Sequence, residues 1–168
     1  MDRKDTINYC LDSLKKAKAD KAACILNMSE KKELNVEIGE MTLLRTTFNY
    51  NMGISVIKDQ KKGSTSINKT DKDSIDAAVE LVIEMAKGSQ PDDAYDIAKL
   101  QPSQSFSKGD ESASLDTMYQ SLEEFVEYVK STYPKIKLEA AVMDFNHTKS
   151  LFRNTNGVDF EIREGIYG

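Results

Sequence analysis

The imidazole and thiol groups that could bind a transition metal or act as nucleophiles come from one histidine, His147, and two cysteines, Cys10 and Cys24. A zinc site built on two histidines would need a second imidazole, which this sequence does not contain. The cysteines form no C-x-x-C pair, because Cys10 shares the apolar face of a predicted helix and Cys24 lies in a predicted strand. Free cysteine packs as a small hydrophobe. We therefore predict two buried or neutral thiols rather than ligands, and a solvated or hydrogen-bonded His147.

Patterns for acid–base catalysis, phosphate binding and nucleic-acid binding are not found either. The carboxylate pairs Asp92-Asp93 and Glu123-Glu124 are typical of solvated loop and helix positions, and no spacing couples two of them as acid and base. The eight glycines are scattered at turn positions and match no nucleophile elbow, Walker or dinucleotide-binding pattern. The lysine doublets are dispersed, without interleaved aromatic residues. We predict no catalytic, cofactor-binding or metal-binding residue in this segment, and no enzymatic activity of the segment alone.

The composition limits the class of protein. The chain has 168 residues, of which 39% are hydrophobic and 30% charged, and this suits one soluble domain. A formal net charge of −5 argues against a general binder of nucleic acid or of an anionic membrane, since either partner requires a basic face. No apolar run approaches the roughly 20 residues that cross a bilayer, and the polar N-terminus does not resemble a signal peptide. We expect a cytoplasmic protein that binds neither nucleic acid nor membrane.

The stretch from Glu33 to Gly88 is the centre of the predicted fold. Apolar and polar residues alternate with the period of half-buried strands, and a polar turn at Asp59–Gly63 leads to a short edge strand at Ser64–Lys69. The alternating apolar positions are Leu34, Val36, Ile38, Leu44, Phe48, Tyr50, Met52, Ile54 and Val56. The period then changes to that of a helix with one apolar face, and Thr70 with Asp73 indicates a capping box at its start. Strands followed by an amphipathic helix predict a two-layer α+β unit.

Further elements flank this stretch. Upstream, we predict a helix at 2–18, a strand at 22–28 and a polar turn at 29–32. Downstream, helical spacing of apolar residues predicts a helix at 115–133, which Pro134 ends.

The C-terminal residues are predicted to complete the sheet. Apolar residues alternate from Ile136 to Val142 as a strand. Residues 148–155 and 158–167 then form a predicted hairpin around Asn156-Gly157, a favoured two-residue turn. Taken together, the elements predict an α+β fold: a two-layer sandwich in which about three helices cover a mixed or antiparallel sheet.

The segment 89–114 is rich in polar residues and proline, and it is long for a loop inside one domain. Four interpretations are open: a seam that separates two lobes, an excursion of the chain without a function, a mobile cover, or a loop that handles a substrate. The sequence favours the first two, a seam or a plain excursion. With this segment as the one candidate boundary, we predict a single α+β domain at 1–168. Because the sequence is still strand-like at Ile166–Gly168, we expect a domain cut from a longer polypeptide.

Several loose motifs follow one another in a characteristic order. They are Leu34-Asn35-Val36-Glu37, the turn at Gly39-Glu40, Met52-Gly53-Ile54-Ser55-Val56, Lys61-Lys62-Gly63-Ser64-Thr65-Ser66, the helix at Asp73–Lys87, Pro91-Asp92-Asp93 and Arg153-Asn154-Thr155-Asn156-Gly157. Their order resembles the N-terminal domain of the TldD/PmbA family, also called modulators of DNA gyrase, over nearly the whole chain. Two departures occur: Thr155 replaces the serine of the family's hairpin, and Ala98–Pro102 stands near the place of its glycine-leucine-proline.

The resemblance implies a two-part protein in which a larger, β-rich domain follows this one. TldD-type members carry a zinc-binding His-Glu-x-x-x-His motif beyond the hairpin, where zinc would activate water for amide hydrolysis. None of those ligands lies in this chain. The segment Lys61–Ser66 is more similar to the PmbA side, whose members lack the metal motif. The resemblance therefore implies no cofactor here, and it assigns any zinc to the C-terminal region or to a TldD-type partner.

The function expected on this basis is that of a non-catalytic N-terminal domain of a PmbA-like, metallopeptidase-related protein. It would help to form a peptide-handling chamber and subunit contacts. The expected partners are a TldD/PmbA-type subunit, in a homo- or hetero-oligomer, and a peptide or unfolded-protein substrate. The alternative is a stand-alone protein-binding module that presents a sheet edge or the 89–114 loop. Direct action on DNA or gyrase is disfavoured by the acidic charge.

Overall fold

The computed structural model describes residues 1–168 and contains three helices and six strands. The helices are α1 (Arg3–Lys16), α2 (Lys72–Gly88) and α3 (Leu115–Thr132). The strands are β1 (Lys21–Glu37), β2 (Glu40–Lys58), β3 (Lys61–Ile67), β4 (Gln104–Lys108), β5 (Ala140–Asn154) and β6 (Asp159–Tyr167). They form one mixed sheet in the order β3-β2-β1-β5-β6-β4. Helices hold 29% of the residues and strands 43%, which confirms the predicted α+β class.

The chain divides into two compact units, each with its own core. Unit 1 consists of Met1–Met28, Asn49–Phe106 and Lys149–Ile162, and unit 2 consists of Ser29–Phe48, Ser107–Thr148 and Arg163–Gly168. The single domain at 1–168, with its candidate seam or long loop at 89–114, stays a prediction. None of the three helices is long and apolar enough to span a membrane.

In unit 1, α1 and α2 bury their apolar faces against the strands. The buried residues are Ile7, Cys10, Leu11 and Leu14 of α1, Ile75, Ala78, Val79, Val82, Ile83 and Ala86 of α2, and Ala22, Cys24, Leu26, Met52, Ile54, Val56 and Leu151 of the sheet. Both helices begin at an aspartate whose carboxylate accepts a backbone N–H three residues later, Asp2 from Asp5 at 2.7 Å and Asp71 from Ser74 at 2.9 Å. The predicted capping box at Thr70 and Asp73 is wrong by one position, since the carboxylate of Asp71 takes the N-cap.

The β2–β3 hairpin forms the end of the sheet in unit 1. Its register runs from Met52 opposite Ile67 to Lys58 opposite Lys61, so the turn contains only two residues, both at positive φ. The predicted turn was three residues too long. Gly63 instead lies within β3, where a Cβ would come 2.3 Å from the carbonyl oxygen of Val82 in α2. The absence of a side chain there lets the helix backbone approach the strand directly. The predicted edge strand is confirmed.

In unit 2, one helix covers the sheet. α3 buries Met118, Leu122 and Val126 against Leu34, Val36 and Phe145. Its N-cap is Ser114, whose hydroxyl accepts the backbone N–H of Thr117 at 3.2 Å. The predicted helix at 115–133 is confirmed to within one residue.

Several predicted strand boundaries are wrong. The polar turn predicted at 29–32 does not exist, because β1 continues without a break from Lys21 to Glu37. Ile38, predicted as a strand position, lies in the β1–β2 turn with φ 53° and is 84% exposed. The strand predicted from Ile136 begins only at Ala140 and runs without interruption into the hairpin. The exposed strand β4 was not predicted at all.

Candidate functional site

His147 lies in β5 and is half-buried. Its ring stacks on Phe145 in unit 2, with 6.4 Å between ring centroids and an interplanar angle of 24°. No group of three or more His, Cys, Asp or Glu side chains in residues 1–168 is arranged to hold a metal ion.

Cys10 and Cys24 are both buried, as predicted. The structure adds a contact between them that the sequence did not indicate: the thiol of Cys24 donates a hydrogen bond to Sγ of Cys10 across 3.5 Å. That bond, with burial as the second cause, raises the pKa of Cys24 well above its ordinary value. The thiol of Cys24 therefore stays protonated at neutral pH.

One carboxylate of each pair singled out in the sequence, Asp92 and Glu124, has a structural partner. Oδ1 of Asp92 accepts the backbone N–H of Ala94 at 2.9 Å, and the backbone N–H of Asp92 donates to the carbonyl of Gln60 at 2.8 Å. Glu124 accepts the side-chain amide of Gln120 on the same helix at 2.9 Å. These contacts fix a loop and a helix surface, and they bring no two carboxylates together as an acid–base pair.

The hairpin motif at 153–157 is also structural. Asn154 is 4% exposed, and its Oδ1 accepts the backbone N–H groups of Asn156 and Val158, each at 3.0 Å. Its amide donates to the carbonyl of Ala98 at 2.8 Å, which attaches the 89–106 part of unit 1 to the hairpin. The hairpin is confirmed, but its loop is wider than the predicted two residues, since β6 begins only at Asp159.

Unit 2 contains a network of charged side chains on β1, β2 and β5. Lys31 lies 2.9 Å from Asp144 and 3.3 Å from Glu33, and Arg45 lies 2.7 Å from the other oxygen of Glu33. The hydrogen bond from Arg45 is the main cause that lowers the pKa of Glu33. Lys31 lowers it further, whereas desolvation raises it. Asp144 and then Glu33 raise the pKa of Lys31. The network pairs Lys31, which belongs to the polar run at 29–32, with carboxylates of β1 and β5.

Unit 2 also exposes apolar side chains along the part of β2 at 40–48, here called the open edge. β2 has two neighbours in the sheet, β1 and β3, and β3 pairs only with Met52–Lys58. Along residues 40–48 one side of the strand therefore has no partner. Leu43, Leu44 and Phe48 on this segment are 45%, 52% and 68% exposed. Unpaired strand backbone beside exposed apolar side chains is a surface on which another strand can pair.

Unit 1 has an open groove of about 560 Å³ beside the end of β3. Ile67, Ala77 and Leu81 form its apolar part, and Asn51 and Lys69 stand among its polar residues. It contains no acid–base or metal-binding combination, so chemistry does not distinguish it from an ordinary surface depression.

Comparison with known proteins assigns the fold. Residues 22–86 match the family described as PmbA/TldA metallopeptidase domain 1. The whole chain resembles TldE from Thermococcus kodakarensis, with a TM-score of 0.71 and 17% identity over 96% of this chain and 36% of that chain. It also resembles a protein from Bacteroides thetaiotaomicron described as a modulator of DNA gyrase, with a TM-score of 0.75 and 14% identity over 98% of this chain and 39% of that one. A comparison with curated proteins finds no match.

A third solved structure has the same fold. It is a protein from Thermotoga maritima, again described as a modulator of DNA gyrase, with a TM-score of 0.64 and 13% identity over 96% of this chain and 37% of that one. The chain therefore spans less than two fifths of each of the three proteins. The chain therefore has the fold of these three proteins. Its residues 22–86 also match domain 1 of the PmbA/TldA family, the family that the sequence motifs resemble. The open edge lies inside the matched residues.

Proposed function

We propose that the chain is the non-catalytic N-terminal domain of a PmbA-like, metallopeptidase-related protein, and that it helps to form a peptide-handling chamber and subunit contacts. In this proposal the domain binds no cofactor. Hydrolysis, with any zinc it uses, takes place in the C-terminal region or in a TldD-type partner. The proposal includes a cytoplasmic location, a homo- or hetero-oligomer with a TldD/PmbA-type subunit, and a peptide or unfolded-protein substrate. The family match to residues 22–86 supports the assignment of this domain.

The observation that carries the contact role is the open edge. Protein edge strands are commonly protected by lysine, proline or a covering element. Residues 40–48 contain no lysine or proline, and their one basic residue, Arg45, is held by Glu33 at 2.7 Å. Leu44 and Phe48 are more exposed than buried. An edge of this kind gains hydrogen bonds and apolar contact when a second chain adds a strand to it.

The proposal is tested by placing charge on the open edge of the complete protein. We expect the double variant Leu44→Lys, Phe48→Lys to weaken association with the TldD/PmbA-type subunit at least about tenfold, because two charges at an apolar contact must lose their hydration. Association is measured by light scattering on a sizing column and by titration calorimetry. Peptidase activity of the mixture should fall in parallel, without recovery at high substrate concentration.

Leu81→Lys is the matched control. Leu81 is as exposed as Leu44, at 52%, but it lies on α2 in unit 1. It should leave association and activity unchanged. If both proteins associate as tightly as the unaltered one, with unchanged circular dichroism spectra, the open edge is not a subunit contact.

The same edge also favours the alternative, a stand-alone module that binds a protein partner by its sheet edge or by the 89–114 loop. The two functions differ in assembly. The chamber role requires co-purification with a related subunit, whereas the module role requires a stable monomer that binds an extended peptide. Peptidase activity from these 168 residues alone would contradict both.

A further inference from the structure

The two thiols of unit 1 are the one pair of reactive groups that the proposed function does not use. Cys10 on α1 and Cys24 on β1 are 0% and 1% exposed, and their sulfur atoms are 3.5 Å apart. A disulfide requires about 2.05 Å. The two sulfurs therefore need to approach by about 1.5 Å, and they already face each other in a hydrogen bond.

We propose that Cys10 and Cys24 are a redox pair that closes into an intramolecular disulfide and so fastens α1 to the sheet of unit 1. The oxidant is a small-molecule disulfide or a diazene such as diamide. One thiolate attacks the oxidant, the second thiolate displaces the reduced oxidant from the first sulfur, and the S–S bond forms. Two protons and two electrons leave the cysteines, and the oxidant takes them up: a diazene becomes a hydrazine, and a small-molecule disulfide becomes two thiols.

The bond would act on a helix that is otherwise held by non-covalent contacts. The hydroxyl of Tyr9 donates to both carboxylate oxygens of Asp76 on α2, at 2.8 and 3.0 Å. Lys4 lies 2.6 Å from Glu161 of β6, and these contacts are at the surface. Closing a ring of about 15 residues between α1 and β1 lowers the entropy of the unfolded chain. The oxidised protein therefore keeps α1 in place under conditions that release it from the reduced protein.

Access to the pair requires α1 to move, because neither sulfur reaches solvent. The raised pKa of the Cys24 thiol also slows the reaction in the closed protein, since the thiolate is the reacting form. Oxidation should therefore occur from a state in which α1 has opened locally while the remainder of unit 1 stays folded. This makes the rate of oxidation a measure of how often α1 opens.

The test treats the purified, folded protein with diamide and follows it by intact mass and peptide mapping. We expect a mass loss of about 2 Da, as two hydrogens leave, and a cross-linked peptide that contains Cys10 and Cys24. The Tm should rise by about 6–12 °C, the shift expected for a ring of this length in a chain of this size. Cys24→Ala and Cys10→Ala should each abolish both changes.

A second variant tests the opening step without touching either thiol. Tyr9→Phe removes the hydrogen bonds to Asp76, and we expect oxidation about 3- to 10-fold faster at an unchanged circular dichroism spectrum. Ser13→Ala, which removes only a 3.4 Å contact to the same carboxylate, should have a smaller effect. The proposal is overturned if both thiols remain fully alkylatable after oxidation, if cross-links form only between chains, or if Tyr9→Phe leaves the rate unchanged.

Discussion

The strands of units 1 and 2 share the same alternation of apolar and polar residues, but the apolar side chains are buried to different degrees in the two units. Unit 1 has two helices and a buried core of seventeen residues, whereas unit 2 has one helix and a core of six. Strand β2 shows this difference along a single strand. Ile54 and Val56 are buried in unit 1, whereas Leu44 and Phe48 at equivalent alternating positions are exposed in unit 2. Alternation thus predicts a strand with one apolar face, but the number of helices available decides whether that face is covered. The uncovered apolar residues of unit 2 are the ones on which the proposed contacts depend.

The largest effect is expected in the small core of unit 2. Phe145 is 2% exposed and packs near Tyr167, with 4.7 Å between ring centroids. Phe145→Ala should lower the free energy of unfolding by about 3–5 kcal/mol, because a core of six residues cannot refill the cavity. Denaturant unfolding and hydrogen exchange measure the loss, and exchange should increase mainly in unit 2.

Phe125→Ala is the control in the same unit. Phe125 lies on α3 and is 46% exposed. Phe125→Ala should lower the free energy of unfolding by much less than Phe145→Ala. Equal losses for the two variants would contradict the difference between buried and exposed apolar residues in unit 2.

A smaller effect is expected in unit 1, where α2 packs directly on β3. Gly63→Ala places a Cβ 2.3 Å from the carbonyl oxygen of Val82 and 2.7 Å from the backbone nitrogen of Ala86. The helix must shift, at a cost of about 1–3 kcal/mol in the free energy of unfolding. Gly88→Ala, with no atom within 4 Å of the added Cβ, should not destabilise the protein. The Tm of each variant is measured by thermal unfolding. If Gly63→Ala has the same Tm as the unaltered protein, α2 does not pack closely enough on β3 to exclude a Cβ.

The smallest effect is expected from the charged network of unit 2, and it should depend on pH. Because Arg45 and Lys31 lower the pKa of Glu33, the ionised carboxylate stabilises the folded state above its unfolded pKa of about 4.3. This stabilisation is lost as the pH falls through the lower folded pKa. Glu33→Gln should therefore lower the Tm at neutral pH by less than Gly63→Ala does, and the difference should disappear in acid.

The exposed carboxylate of Glu123 provides the comparison for this pH dependence. Glu123→Gln should have the same Tm as the unaltered protein, both at neutral pH and in acid. A Tm difference for Glu33→Gln that is the same at every pH would mean that packing, not charge, is responsible.

The elements with strong periodicity could be predicted from the sequence, because each buries one regular face. All three helices, the edge position of β3 and the hairpin near Asn156 follow from local pattern. The polar run at 29–32 was wrongly predicted as a turn, since its strand conformation involves partners distant in sequence, such as Asp144 with Lys31. β4 was missed for a related reason: all five of its residues are exposed, so no apolar alternation marks it.

The candidate site was less predictable than the fold. The sequence indicated correctly that the thiols would be buried, but their contact depends on how α1 faces β1, which local pattern does not specify. The open edge depends on where β3 stops along β2, at Ile67 opposite Met52. The alternative of a sheet-edge binding surface was raised from the sequence, but its position at 40–48 required the register.

The place of β5 in the sheet has a consequence for the order in which the protein can fold. β5 lies beside β1, and the backbone N–H of Thr155 donates to the carbonyl of Ala22, 133 residues earlier in the chain. During synthesis, β1, β2, β3 and α2 can assemble as a local unit, but β1 must wait for nearly the entire chain before its second neighbour exists. Such long-range pairing slows folding, and it leaves the middle of the sheet as a temporary second edge in the nascent protein.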